Sequence, residues 1–182
     1  MKHIGTIIFT LLLLLLPASL NAAGQFVSFK SGDLKLNNNG KVHIHVDAND
    51  CKGVAIAAAN LATDINKVCG AETATTDKAD AEIIAGTVGH SAEIDKMVKS
   101  GAIDGSALKG KREKYIITTV GGKVVIAGSD RRGTIYGIYE LSRQIGVSPW
   151  YYWADTPVER HESIYINKGV YTDGEPAVRY RG

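Results

Sequence analysis

A change of period within one short stretch constrains the fold of this chain more than any other feature. Residues 115–120 and 123–127 read as two strands, and the Gly121-Gly122 pair between them is a two-residue hairpin signal. Immediately afterwards the apolar residues fall into helical spacing. Ile138, Leu141 and Ile145 line one face of a helix over roughly 132–145, with Ile135 at its edge, and Gly146 and Pro149 close it. A hairpin that runs straight into a helix favours an α+β layer fold over a purely parallel, doubly wound sheet.

The rest of the chain extends that reading. Residues 26–29, 33–36 and 41–46 read as short strands, with Asn37-Asn38-Asn39-Gly40 as a turn before the third. In the third, Val42, Ile44 and Val46 alternate with His43 and His45, so the two histidines share the opposite, solvated face. Val54, Ala58, Leu61, Ile65 and Val68 recur at helical spacing before Gly70, which predicts a long alanine-rich helix. A short strand over 82–85, a helix over 91–99 and an edge strand over 163–166 complete the order. The expected architecture is a mixed β-sheet with amphipathic helices packed on it.

The first 23 residues read as a cleavable signal peptide: Lys2 and His3, an apolar run through six consecutive leucines, then the small residues Ala22 and Ala23. The expected organisation is a leader over 1–23, a domain over 24–168 and a linker over 169–182, in a secreted or periplasmic protein with no membrane contact after cleavage. The chain has 21 Lys+Arg and 19 Asp+Glu. Removing Lys2 leaves 20 against 19, and with no basic run or basic helix, nucleic acid is a poor partner. Cys51 and Cys69 flank the long helix. At 1.5 Å per residue they stand about 27 Å apart, against about 5.5 Å in a disulfide, so they read as small buried hydrophobes. The five histidines show no metal-ligand spacing, and no cofactor motif is present.

Chemistry concentrates in the last third. Gly128-Ser129-Asp130-Arg131-Arg132-Gly133-Thr134 lies between a strand and a helix, where phosphate loops occur. A P-loop needs a lysine where this chain has Thr134, so the nucleotide reading fails. Ser129 or Asp130 suits a helix N-cap. Arg131 and Arg132 are cations at the positive end of a helix, which is unfavourable by about 0.3–1 kcal/mol each. Either they pair with Asp130 or another nearby acid, or guanidinium and helix amides together form an anion site suited to a carboxylate or sulfate, or they make a salt bridge to another domain. Trp150, Tyr151, Tyr152 and Trp153 hold both tryptophans of the chain. If the segment alternates as a strand, Trp150 and Tyr152 turn one way and Tyr151 and Trp153 the other, to stack on sugar or to pack against a neighbouring domain. No carboxylate pair or nucleophilic triad can be placed, so no catalytic residue is assigned.

These blocks, Ala127-Gly-Ser-Asp-Arg-Arg-Gly-Thr-Ile-Tyr-Gly-Ile-Tyr-Glu-Leu through Trp-Ala-Asp-Thr-Pro157, and Tyr171-Thr-Asp-Gly-Glu-Pro-Ala-Val-Arg-Tyr-Arg-Gly182, resemble glycoside hydrolase family 115, the xylan α-glucuronidases. The resemblance implies an inverting hydrolase that releases (4-O-methyl)glucuronic acid from glucuronoxylan or glucurono-oligosaccharides. It implies an N-terminal α+β domain similar to the one preceding the barrel in β-hexosaminidases. The catalytic carboxylates would then belong to a following (β/α)8 barrel, approached at Arg179-Tyr180-Arg181-Gly182, and the fragment alone would be inactive. Under the same resemblance, Ser129, Asp130, Arg131 and Arg132 would line or brace the pocket for the uronate carboxylate. Two other readings stay open: a non-catalytic carbohydrate-binding or interdomain module, and the accessory domain of a β-hexosaminidase-like hydrolase.

Overall fold

The computed structural model describes residues 25–177. The leader expected over 1–23 and the barrel approach expected at Arg179–Gly182 lie outside the described residues. The elements are β1 (Val27–Ser28), β2 (Leu34–Lys35), β3 (Lys41–Val46), α1 (Lys52–Cys69), β4 (Glu72–Thr76), β5 (Ile83–Thr87), α2 (Ala92–Lys99), β6 (Tyr115–Val120), β7 (Lys123–Gly128), α3 (Arg131–Gln144), α4 (Tyr151–Ala154), β8 (Tyr165–Ile166) and β9 (Val170–Thr172).

Six strands form a mixed sheet in the order β4-β3-β5-β7-β6-β9. The four from β4 to β7 are parallel, joined by crossovers, while β6 returns antiparallel to β7 across the Gly121-Gly122 turn. Both turn glycines have positive φ, 57° and 77°, as a twist-matched two-residue hairpin requires. Helices α1 and α3 cover one face. There Val54, Leu61, Ile65 and Val68 of α1 meet Ile44, Ile83, Val124 and Ile126 of the strands. Alternate strand residues, Ile84, Ile116, Val125 and Ala127, form a second, smaller core with Ile94 of α2 and with Ile103 and Leu108. Each fully buried large aliphatic contributes roughly 1.5–3 kcal/mol. The α+β reading therefore holds, with crossover helices and a hairpin in one sheet.

Four expectations need correcting. His45 does not sit on a solvated face: β3 lies between β4 and β5, and His45 is 4% exposed, with neither ring nitrogen hydrogen-bonded among the described residues. His43, further back on the strand, stays half-exposed beside Glu82. The strand expected at an edge over 163–166 is β8, the centre of a small antiparallel sheet, β1-β8-β2. Asn37 clamps it, donating to Glu162 O at 3.0 Å and accepting from Ile164 N at 3.2 Å. Strand β9 lies inside the stretch assigned to the linker and pairs with β6 at the sheet edge. Finally, Thr-rich β4 has no counterpart in the sequence reading, because an edge strand is held by backbone pairing and needs little apolar alternation. Cys51 and Cys69 are free, at opposite ends of α1.

One polar residue at the α1–α3 contact sets a pH dependence. Asp64 is 6% exposed, and burial raises its carboxyl above the ordinary 3.8, opposed by the Ser142 hydroxyl and by Lys67. A raised carboxyl destabilises the fold most above its folded pKa, and the penalty is relieved as pH falls through that value toward 3.8. Asp64→Asn should therefore raise Tm at pH 7, and the gain should shrink toward pH 4. Calorimetry at both pH values checks this; a gain independent of pH would show that burial of the charge is not its source.

Candidate functional site

The C-terminal ends of β3, β5 and β7 bring the polar residues together. Beyond β3 the chain turns to α1 on one face, whereas beyond β5 it turns to α2 on the other. Such a switch point opens the crevice in which open α/β sheets take ligands. Here the crevice is filled by the protein's own side chains. Asp50 accepts from Thr87 N at 2.6 Å, from Thr87 Oγ1 at 3.0 Å and from Cys51 N at 2.6 Å. The Thr87 hydroxyl meets that of Thr134 at 2.8 Å, joining β5 to the first turn of α3.

The helix-start amides are occupied in the same way. Asp47 accepts from Asn49 N and from Ala92 N, the first residue of α2, at 2.9 and 3.0 Å. These two amides hold its carboxyl below the usual range. Asp130 caps α3 by accepting from Gly133 N at 2.8 Å, and its other oxygen accepts from Glu113 N at 2.8 Å. A general acid needs a raised pKa and a reachable proton. Asp47 is shifted the opposite way, and all three carboxylates are engaged by backbone amides. An open groove of about 430 Å³ beside them, lined by Asp47, Asp50, Lys52, Thr75, Thr76 and Asp77, is too acidic to favour a uronate.

The four residues of the expected substrate turn therefore separate. Ser129 Oγ accepts from Lys114 N at 3.0 Å, and its own amide donates to Lys114 O at 2.8 Å, so Ser129 continues the pairing with the chain entering β6. Asp130 is the helix cap and the anchor of Glu113. Arg132 pairs with Glu113 at 3.3 Å and donates to the Tyr136 hydroxyl at 2.9 Å. Glu113 is 5% exposed and has φ of 53°, so an acid in a strained backbone conformation is held against the arginine. Arg131 is exposed and has no ion-pair partner among the described residues. Its side chain lies over Gly53 at the start of α1.

The glycines of the block serve close packing. A Cβ on Gly128 would fall 2.2 Å from Thr134 N, on Gly133 2.2 Å from Lys114 O, and on Gly137 2.7 Å from Ile126 Cγ2. They let α3 lie directly on β6 and β7, leaving no room there for a phosphate. The spacing of these glycines is visible in the sequence. Nothing there marks Glu113, Asp50 or Thr87 as their neighbours.

The aromatic segment is helical, so the alternation expected of it does not occur. Tyr151, Trp153 and Ala154 lie in α4, with Trp150 at its N-cap. Trp150 and Trp153 are 66% and 85% exposed, while half-buried Tyr151 lies under the Lys67 ammonium, 4.1 Å from its ring centroid. The chain leaving the sheet runs past Arg112, which donates from N to Glu175 at 3.0 Å and from its guanidinium to Pro176 O at 3.2 Å.

Residues 29–141 match the family described as glycosyl hydrolase family 67 N-terminus. No curated protein matches the chain. Among solved structures it is similar to a family GH115 4-O-methyl-α-glucuronidase with specificity for decorated arabinogalactans, at 35% identity and a TM-score of 0.72, over 81% of this chain and 19% of that one. It is also similar to the N-acetyl-β-hexosaminidase of Streptomyces plicatus, at 18% identity and a TM-score of 0.51, over 87% of this chain and 26% of that one. The chitobiase of Flavobacterium johnsoniae shows the same likeness at 14% identity and a TM-score of 0.50, over 87% and 21%. At those last two identities the shared property is the fold. The chain spans 19–26% of the length of these structures.

Proposed function

The chain belongs to the family of glycosyl hydrolase family 67 N-termini, and from that membership we propose that it is the non-catalytic N-terminal part of an exported α-glucuronidase. The relationship to glycosidases is established by the family match and by the 35% identity to a glucuronidase. That identity is the observation that carries the finer reading. In the proposal, a longer protein releases (4-O-methyl)glucuronic acid from glucuronoxylan by inverting hydrolysis, with its acid and base in a barrel following this domain. The glucuronidase it resembles is specific for decorated arabinogalactans, so that polysaccharide stands beside glucuronoxylan as a source of the uronic acid. The occupied carboxylates at the strand ends support a supporting rather than a catalytic role.

Within that reading, Arg131 is the residue of the turn best suited to meet a uronate, being exposed and without an acidic partner among the described residues. Arg132, Asp130 and Ser129 brace it. Trp150 and Trp153 are offered to the following barrel domain as docking contacts, and no cofactor is invoked.

The test is to assay this chain and a longer protein that includes the barrel on glucuronoxylan and on decorated arabinogalactan. The longer protein should release 4-O-methylglucuronic acid and the 182-residue chain should release none. Hydrolysis of N-acetylhexosaminides with no uronic acid release would overturn the assignment. The double substitution Trp150→Ser/Trp153→Ser should shift the stability of the present chain by no more than about 0.5 kcal/mol, as for exposed sites generally, yet lower the Tm of the longer protein. Equal effects on both would remove the docking role.

A further inference from the structure

On the outer side of the helical layer, away from the strand ends, a cleft of about 290 Å³ opens between α1 and α3. It lies at the small end of ligand pockets, which run about 300–1,000 Å³. Its lining includes Asn60, Asp64, Tyr139, Ser142, Val147 and Ser148. Two features distinguish it from an ordinary groove between helices.

The first is its polar lining. Asp64 and Ser142 are 6% and 4% exposed, and the Ser142 hydroxyl completes no hydrogen bond of good geometry among the described residues. It lies near enough to ease the Asp64 carboxyl downward without completing a hydrogen bond of ordinary length. A buried hydroxyl left unmatched beside a buried acid is unfavourable by about 1–3 kcal/mol, and a group of that kind in a native fold calls for an explanation, a bound polar group among them. The second is the wall. Tyr139 is 43% exposed and is held by Asn60, whose amide donates to its hydroxyl at 2.8 Å. Arg143 also lines the cleft, but its Nε and Nη2 close on Glu140, at 2.8 and 2.6 Å. Glu140 thus balances that charge, and the Asp64 carboxylate is the acid within the cleft, with Lys67 3.9 Å from it.

We propose that this cleft is a binding subsite for a neutral glycosyl unit, which stacks on Tyr139 and directs hydroxyls at Asp64 and Ser142. A sugar hydroxyl both donates and accepts, so one ligand group can satisfy the carboxylate and the serine together. An exposed ring fixed in place supplies the flat apolar surface that the C–H face of a pyranose covers. The acid in the cleft disfavours a uronate, so this subsite takes the uncharged units of a polysaccharide and acts independently of any uronate site near Arg131.

Titration calorimetry of the purified chain with xylohexaose, with a neutral β-galacto-oligosaccharide and with glucuronic acid tests it. Saturable binding of either neutral oligosaccharide is expected, with the preferred one separating a pentosyl from a hexosyl backbone. Ser142→Ala also withdraws the hydroxyl that eases the Asp64 carboxyl downward, so the far-UV spectrum should stay that of the folded chain while affinity weakens about tenfold, the equivalent of one hydrogen bond of about 1.4 kcal/mol. Tyr139→Leu, on an exposed face, should abolish binding with the fold intact. The proposal is overturned if neither oligosaccharide binds, if binding survives both substitutions, or if glucuronic acid competes as well as the neutral ligands.

Discussion

Gly133→Ala should destabilise this protein by about 3 kcal/mol or more, the upper end of what over-packing does in a close-packed interior. The added Cβ would stand 2.2 Å from Lys114 O and 3.0 Å from Lys114 C and N. These are backbone atoms on the segment that enters β6, so no rotamer change relieves the collision. To make room, α3 must lift from the sheet, which breaks the cap at Asp130 and the hydroxyl contact between Thr87 and Thr134. Urea unfolding measures the loss as a shift in midpoint. Gly174→Ala is the matched comparison, since nothing lies within 4 Å of its added carbon, and it should leave the midpoint unchanged. A wild-type midpoint for Gly133→Ala would mean that α3 does not lie on β6 as closely as described.

Asp130→Ala should lose about 2–4 kcal/mol, and the route of the loss is what makes it informative. Removing an N-cap acceptor takes about 1 kcal/mol. The same side chain also holds Glu113 N, and stripping a partly buried amide of its acceptor adds about 1–3 kcal/mol. Glu113 sits at φ of 53°, a conformation unfavourable for a non-glycine residue by roughly 1–2 kcal/mol, so its hold depends on that anchor. Asp130→Asn separates the two contributions. One amide oxygen can still cap Gly133, but the amino group then faces the Glu113 N–H, so an intermediate loss is expected. If Asn and Ala behave alike, the second anchor contributes nothing. In either variant the pairing of Arg132 with Glu113 should loosen, since the acid is aimed at the guanidinium by this backbone constraint.

These two residues show how far the sequence could be followed. Asp130 reads as a cap because a cap needs only an acceptor before a helix, and that is local. Its second bond could not be read, because Glu113 lies at the far end of a hairpin and only the pairing of β6 with β7 brings it alongside. Arg132 is similar: two cations at a helix start signal that something must compensate, but not which acid or whether a ligand does so. For Arg132 the pairing reading holds, through Glu113 rather than Asp130. Arg131 has no ion-pair partner among the described residues. Asp64 and Ser142 carried no signal at all, since each falls among the apolar positions of an amphipathic helix and acquires meaning only where the two helices meet.

What the sequence determined by itself was whatever depends on neighbours a few residues away. The long helix ending at Gly70, the Gly121-Gly122 hairpin, the capped helix after Gly128 and hence the α+β class all follow from periodicity and turn chemistry. Residues 127–157 carried the resemblance to glucuronidases, and within that block Gly128 and Gly133 stand where a Cβ would strike backbone. The tertiary structure alone decided the rest. It placed β4 and β9 at the sheet edges, β8 at the centre of its own sheet and His45 in the interior, because strand partners and burial are set by chain segments far away in sequence. It also turned the acids at the strand ends inward onto amides, leaving the exposed Arg131, the α4 tryptophans and the cleft between α1 and α3 as the surfaces on which function can be sought.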